Sequence, residues 1–98
     1  MSRLDEQAIS TWLSTHPGWR RDGEEVVREY RLSSFRRALA LVVEIGCLAE
    51  RADHHPDLLL QYKRLTVRLS THSVGALTSK DLQLAEEIDR AYYDTGGD

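Results

Sequence analysis

The chain has 98 residues, 41% apolar and 30% charged, which suits one domain with one modest core and excludes a disordered chain. A net charge of −3 leaves no electrostatic footprint for nucleic acid, and no polybasic run suits a membrane surface. The single cysteine, Cys47, excludes an intrachain disulfide and a cysteine-based zinc site, and no apolar stretch reaches the roughly 18 residues of a membrane span.

The opening residues MSRLDEQAIS carry acids and no continuous apolar run, so they do not read as a secretory signal, and a cytoplasmic chain is expected. They read instead as the start of a helix. Ser2 followed by Asp5 is a capping-box pattern, and Leu4, Ala8, Ile9, Trp12 and Leu13 recur at helical spacing. His16-Pro17-Gly18 ends it. Next, WRRDGEEVVREYRL reads as a hairpin turning at Asp22-Gly23. Val26, Tyr30 and Leu32 then share one strand face, with Arg28 interrupting the alternation.

A second helix, capped by Ser33 or Ser34, is expected from Phe35 towards Asp53. Its main apolar stripe is Phe35, Ala38, Leu39, Val42, Gly46, Ala49 and Ala52; Leu41, Ile45 and Leu48 add another. That is more circumference than one sheet face covers. Either the helix is sandwiched within the chain or it meets a second copy; the small number of elements favours the second copy, with Leu41, Ile45 and Leu48 as the contact. Cys47, within LVVEIGCLAE, reads as a small buried hydrophobe.

DLLLQYKRLTVRLS reads as a second hairpin. A turn at Lys63-Arg64 pairs Tyr62 with Leu65, Leu60 with Val67 and Leu58 with Leu69, all on one face. The last helix follows GALTSKD, where Thr78 and Asp81 form another capping-box pattern, and Leu84, Ala85, Ile88, Ala91 and Tyr92 supply its stripe. Residues 94–98 read as a frayed tail. The order α-β-β-α-β-β-α predicts one α+β domain over residues 1–98, a four-stranded antiparallel sheet with three helices on one face.

Candidate chemistry gathers in two stretches. In ERADHHPD, Pro56 stops the second helix near His54 and His55, and Glu50 lies four residues before His54, on the same face of the last turn. A carboxylate there holds an imidazole in one tautomer. The helix macrodipole alone also favours a histidine at that end. In LSTHSVGALTSKD, His72 follows directly on a strand, in a loop containing Gly75. Asp81 reads first as a helix cap and only second as a chemical group. Adjacent helical side chains diverge by about 100°, so His54 and His55 do not chelate one ion, and no metal is expected. The set suits general acid–base work instead.

Together these stretches resemble the pterin-4a-carbinolamine dehydratase family. The shared pattern is Glu-x-x-x-His-His-Pro, a hairpin, Thr-His, a glycine-containing loop, a Leu-Thr cap and Asp, and it extends to Gly18-Trp19. The resemblance implies dehydration of a 4a-hydroxytetrahydropterin to quinonoid dihydropterin with no metal or organic cofactor, in pterin recycling for aromatic amino acid hydroxylases. It implies His54, His55 and His72 as catalytic residues, Glu50 and Asp81 as supporting acids, and Trp19, Pro56, Thr71 and Ser73 around the pterin. It implies a homo-oligomer, dimer or tetramer, through the 35–53 helix or a sheet edge. His55 and His72 are the expected proton-transfer pair, with His54 tuned by Glu50. The alternative is a non-catalytic interaction protein on the same fold, resembling the family's dimerisation cofactors or Rubisco assembly factors. The chain departs from the family at Lys63, where asparagine is common, at Ala76, where glycine is common, and at Ser73, where an acid is frequent.

Overall fold

Alternating burial along the last strand of the sheet fixes which side the helices cover. The computed structural model describes residues 2–95: α1 (Glu6–Thr15), β1 (Arg20–Asp22), β2 (Glu25–Arg31), α2 (Phe35–Ala52), β3 (Asp57–Gln61), β4 (Arg64–Leu69) and α3 (Ser79–Asp94). The strands form one antiparallel sheet in the order β1-β2-β4-β3. Leu65, Val67 and Leu69 of β4 are buried, and Val26 and Tyr30 of β2 pair with Leu69 and Leu65 beside them. Ile9 of α1, Ala38, Leu41 and Ile45 of α2, and Leu84, Ala85 and Ile88 of α3 close over that face as one core. The α+β order and the helix-covered sheet match the expectation from sequence.

Several local expectations are corrected. The cap of α1 is Asp5, not Ser2: its carboxylate accepts from the Ala8 N–H at 2.7 Å. The first hairpin turns at Gly23-Glu24, one residue beyond the expected pair, with Gly23 at φ +62°. The second hairpin turns at Tyr62-Lys63, pairing Leu60 with Leu65 and Leu58 with Val67. That register sets Asp57 opposite Arg68, and Gln61 opposite Arg64, which donates to it at 2.8 Å. The two-residue shift keeps every leucine on its expected face, but Tyr62 moves into the turn at φ +54° and is exposed. Asp94, expected in a frayed tail, is the last residue of α3; residues 96–98 of that expected tail lie outside the described residues.

The largest correction concerns α2, capped by Ser34 through the Arg37 N–H. Ala38, Leu41, Ile45 and Ala49 face the sheet and are buried, so Leu41 and Ile45 are core, not a contact with another chain. Phe35, Leu39 and Val43 lie roughly a third of a turn around the helix and are exposed at 46%, 44% and 65%. Cys47 is also exposed, not buried.

Arg28 breaks the apolar alternation of β2 because it has a partner. It donates to Asp89 of α3 at 2.9 Å, and Asp89 also accepts from the Tyr30 hydroxyl at 2.5 Å and the Trp19 indole at 3.0 Å. Burial, then the Asp89 carboxylate, pushes the Tyr30 phenol far above its ordinary range. A β-carbon at Gly18 would lie 2.5 Å from the Arg28 guanidinium, so a larger residue there would displace that side chain.

Ile45→Glu would place an unpaired charge at a position with 0% exposure. The expected cost is about 4 kcal/mol, a large part of a small domain's stability, read as a collapse of the urea midpoint. A variant that melts like the wild type would show that Ile45 is not core.

Candidate active site

The end of α2 separates the two adjacent histidines. Pro56 cannot continue a helix, and the chain leaves it at Asp53, which adopts the left-handed conformation (φ 50°, ψ 47°). The N–H of His54 still donates to the Ala49 carbonyl at 3.0 Å, so the reversal is tight. It sends the two side chains different ways. The His54 side chain is only 10% exposed, with Nε2 2.5 Å from Asp81 Oδ1. The His55 side chain is 57% exposed, with Nε2 2.5 Å from Glu50 Oε2. The expected pairing of Glu50 with His54 is therefore overturned. It required the helix to run on through His54, and the left-handed cap at Asp53 rotates the next residue off that face.

Asp81 belongs to the first turn of α3 and is completely buried. The capping box is present as expected: Thr78 caps the helix, and Asp81 Oδ2 accepts from the Thr78 N–H at 2.9 Å. The same oxygen accepts from the Thr71 hydroxyl at 2.8 Å, while Oδ1 faces His54. Cap and chemical partner, weighed as alternatives from sequence, are one carboxylate with two oxygens. A carboxylate accepts only, so Nε2 of His54 carries the proton, and Glu50 fixes His55 likewise. Among the described residues neither Nδ1 has a protein partner.

His72 sits at the head of a short loop closed by the bridge between Thr71 and Ala76. Gly75 supplies the left-handed turn at φ +71°. His72 is exposed, and its ring has no protein partner among the described residues.

Three histidines from three backbone settings meet in one open cleft of about 570 Å³, lined also by Asp53, Pro56, Asp57, Ser70, Thr71, Ser73 and Lys80. Pro56 and Ser73, expected around the pterin, are among the residues that line it. Thr71 lines the cleft too, but its hydroxyl is committed to Asp81. Trp19 does not line it: the indole is 4% exposed, in the core, and donates to Asp89. Lys80, missed from sequence, follows from its place one residue before Asp81 at the start of α3. Among the described residues no group of three His, Cys, Asp or Glu side chains is arranged to hold a metal ion.

Residues 2–91 match the family model described as pterin 4 alpha carbinolamine dehydratase. A protein of Thermomicrobium roseum, provisionally named pterin-4-alpha-carbinolamine dehydratase, is 42% identical over 90% of this chain and 95% of its own. One of Chloroflexus aurantiacus, named likewise, is 44% identical over 91% and 96%. Among solved structures, a transcriptional coactivator/pterin dehydratase from Brucella melitensis superposes with a TM-score of 0.88 at 28% identity, over 92% of this chain and 98% of that one. A pterin dehydratase-like protein described as a RuBisCO assembly factor in the alpha-carboxysome matches at TM-score 0.67 and 17% identity, over 76% of this chain and 88% of that one, a likeness of fold alone.

Removing the Asp81 carboxylate strands three donors: the Thr71 hydroxyl, the Thr78 N–H and His54 Nε2–H. Asp81→Ala should cost about 2–4 kcal/mol in chemical denaturation, whereas Glu50→Ala, at an exposed site, should leave the midpoint unchanged. Equal effects from the two would contradict the assigned geometry.

Proposed function

The chain belongs to the pterin 4 alpha carbinolamine dehydratase family, and on that footing we propose that it dehydrates a 4a-hydroxytetrahydropterin to the quinonoid dihydropterin. One observation carries the reading. Three imidazoles line one cleft, two of them backed by carboxylates at Nε2, with no partner at Nδ1 among the described residues. The reaction expels hydroxide from C4a as water and removes the proton on N5, forming the C4a=N5 double bond. It therefore needs one proton donor and one proton acceptor, and no electron transfer.

His54 is assigned as the acceptor for the N5 proton. Asp81 behind it stabilises the imidazolium that forms, as a buried carboxylate does behind a general-base histidine. His55 is assigned as the donor to the leaving hydroxyl, acting as an imidazolium whose Nε2–H stays on Glu50 while the Nδ1 proton is given up. After turnover its exposed ring regains that proton from solvent, and His54 releases the N5 proton it took, so the cycle closes without net proton uptake. His72, exposed at the head of its loop, holds the substrate, with Pro56 as an apolar wall. No metal or organic cofactor has a step in this scheme.

Stopped-flow absorbance with synthetic 4a-hydroxytetrahydropterin tests the reading. Turnover above the uncatalysed rate is expected, and His54→Ala or His55→Ala should each lower it by about 10²–10⁴-fold with the fold intact. A wild type that leaves the spontaneous rate unchanged would refute the assignment.

A second reading concerns assembly. The exposed row Phe35, Leu39 and Val43 on α2 is an apolar face that supports self-association of this chain. Sedimentation should show the wild type as a dimer or larger and Val43→Glu as a smaller, still folded species. A monomeric wild type would dispose of this reading.

A further inference from the structure

We propose that Thr71 is a positioning residue: its hydroxyl holds Asp81 behind His54, while its main chain closes the loop that presents His72. The proposal rests on the reading above for its consequence in turnover, but its geometry stands apart from it. Thr71 is 5% exposed, and its Oγ1 lies 2.8 Å from Asp81 Oδ2 and 2.7 Å from Thr78 Oγ1.

The direction of each bond follows from what each atom can give. The Asp81 carboxylate accepts only, so Thr71 donates to it. Thr71 has then spent its one proton, so Thr78 donates to Thr71. The Thr78 oxygen in turn accepts from the Lys80 N–H at 3.3 Å. The result is an ordered row, Lys80 N–H to Thr78 to Thr71 to Asp81, ending at the carboxylate whose other oxygen takes the His54 Nε2 proton. No member can reverse without leaving a buried donor or acceptor unpaired.

The backbone of the same residue does a second job. The Thr71 N–H donates to the Ala76 carbonyl at 3.0 Å, and its own carbonyl accepts from Val74 at 3.0 Å and Gly75 at 2.9 Å. These bonds shape the loop that begins with His72. Thr71 thus sits between two of the three histidines, one through its side chain and one through its backbone. A valine is nearly the same shape and keeps the backbone bonds, but cannot donate to Asp81. It isolates the side-chain role.

The test compares Thr71→Val and Thr71→Ser with the wild type, by long-range ¹H–¹⁵N NMR of the imidazoles and by steady-state kinetics. In the wild type and the serine variant, His54 should be held as a single Nε2–H tautomer. In the valine variant it should become a mixture, with kcat down about tenfold and KM within about twofold. A folded valine variant whose His54 signals and kcat match the wild type overturns the proposal, and so does a serine variant that behaves like valine. Should valine prevent folding, the wild type decides: a Thr71 hydroxyl proton that exchanges slowly enough to be seen supports the proposal. One that exchanges as fast as that of exposed Thr11 overturns it. If the wild type has no dehydratase turnover, the functional reading fails, and the tautomer comparison still decides for or against Thr71.

Discussion

A single buried carboxylate, that of Asp81, joins the parts of the candidate site. It receives donors from three separate segments: the turn after α2 through His54, the strand exit through Thr71, and the start of α3 through Thr78. A carboxylate at 0% exposure is tolerated only because both oxygens are occupied. The core sets where it lies. Leu84, Ala85 and Ile88 pin α3 to the sheet, and the first turn of that helix delivers Asp81 beneath His54. The site is thus an extension of helix packing, not an ornament on a loop.

Two adjacent histidines take different partners because the chain reverses between helix and strand. Asp53 in the left-handed conformation and Pro56 beyond it divide the pair, one imidazole directed inward and the other outward. The two carboxylate partners then differ in kind. Asp81 is enclosed, so its hold on His54 is little screened by water. Glu50 is 77% exposed, and an ion pair there has modest energetic weight. The difference underlies the proposed division of labour, a fixed acceptor beside a donor open to solvent.

Much of this was legible in the sequence, and the failures have common causes. The stripe and capping box of α3 were readable because cap, helical period and burial all agree there. The three histidines were readable because they lie in two short, distinctive stretches. Partners far apart in the chain were not: His54 and Asp81 are 27 residues apart, and only the fold brings them together. The faces of α2 are hidden from sequence for a related reason. Periodicity shows that two apolar stripes exist, but it does not say which is buried: small Ala38 and Ala49 are covered, while larger Phe35, Leu39 and Val43 are exposed. The second hairpin slipped by two residues, the one shift that leaves the apolar faces intact, so only the polar pairs of the open face could have revealed it. Resemblance alone puts Trp19 near the substrate, whereas its indole donates to Asp89.

On this geometry His54 and Asp81 form one energetic unit. A double-mutant cycle between them, with His54→Ala, Asp81→Ala and the double variant followed by chemical denaturation at neutral pH, measures it directly. The geometry predicts a coupling energy above about 1 kcal/mol. Additive single variants, with a coupling energy indistinguishable from zero, would contradict it.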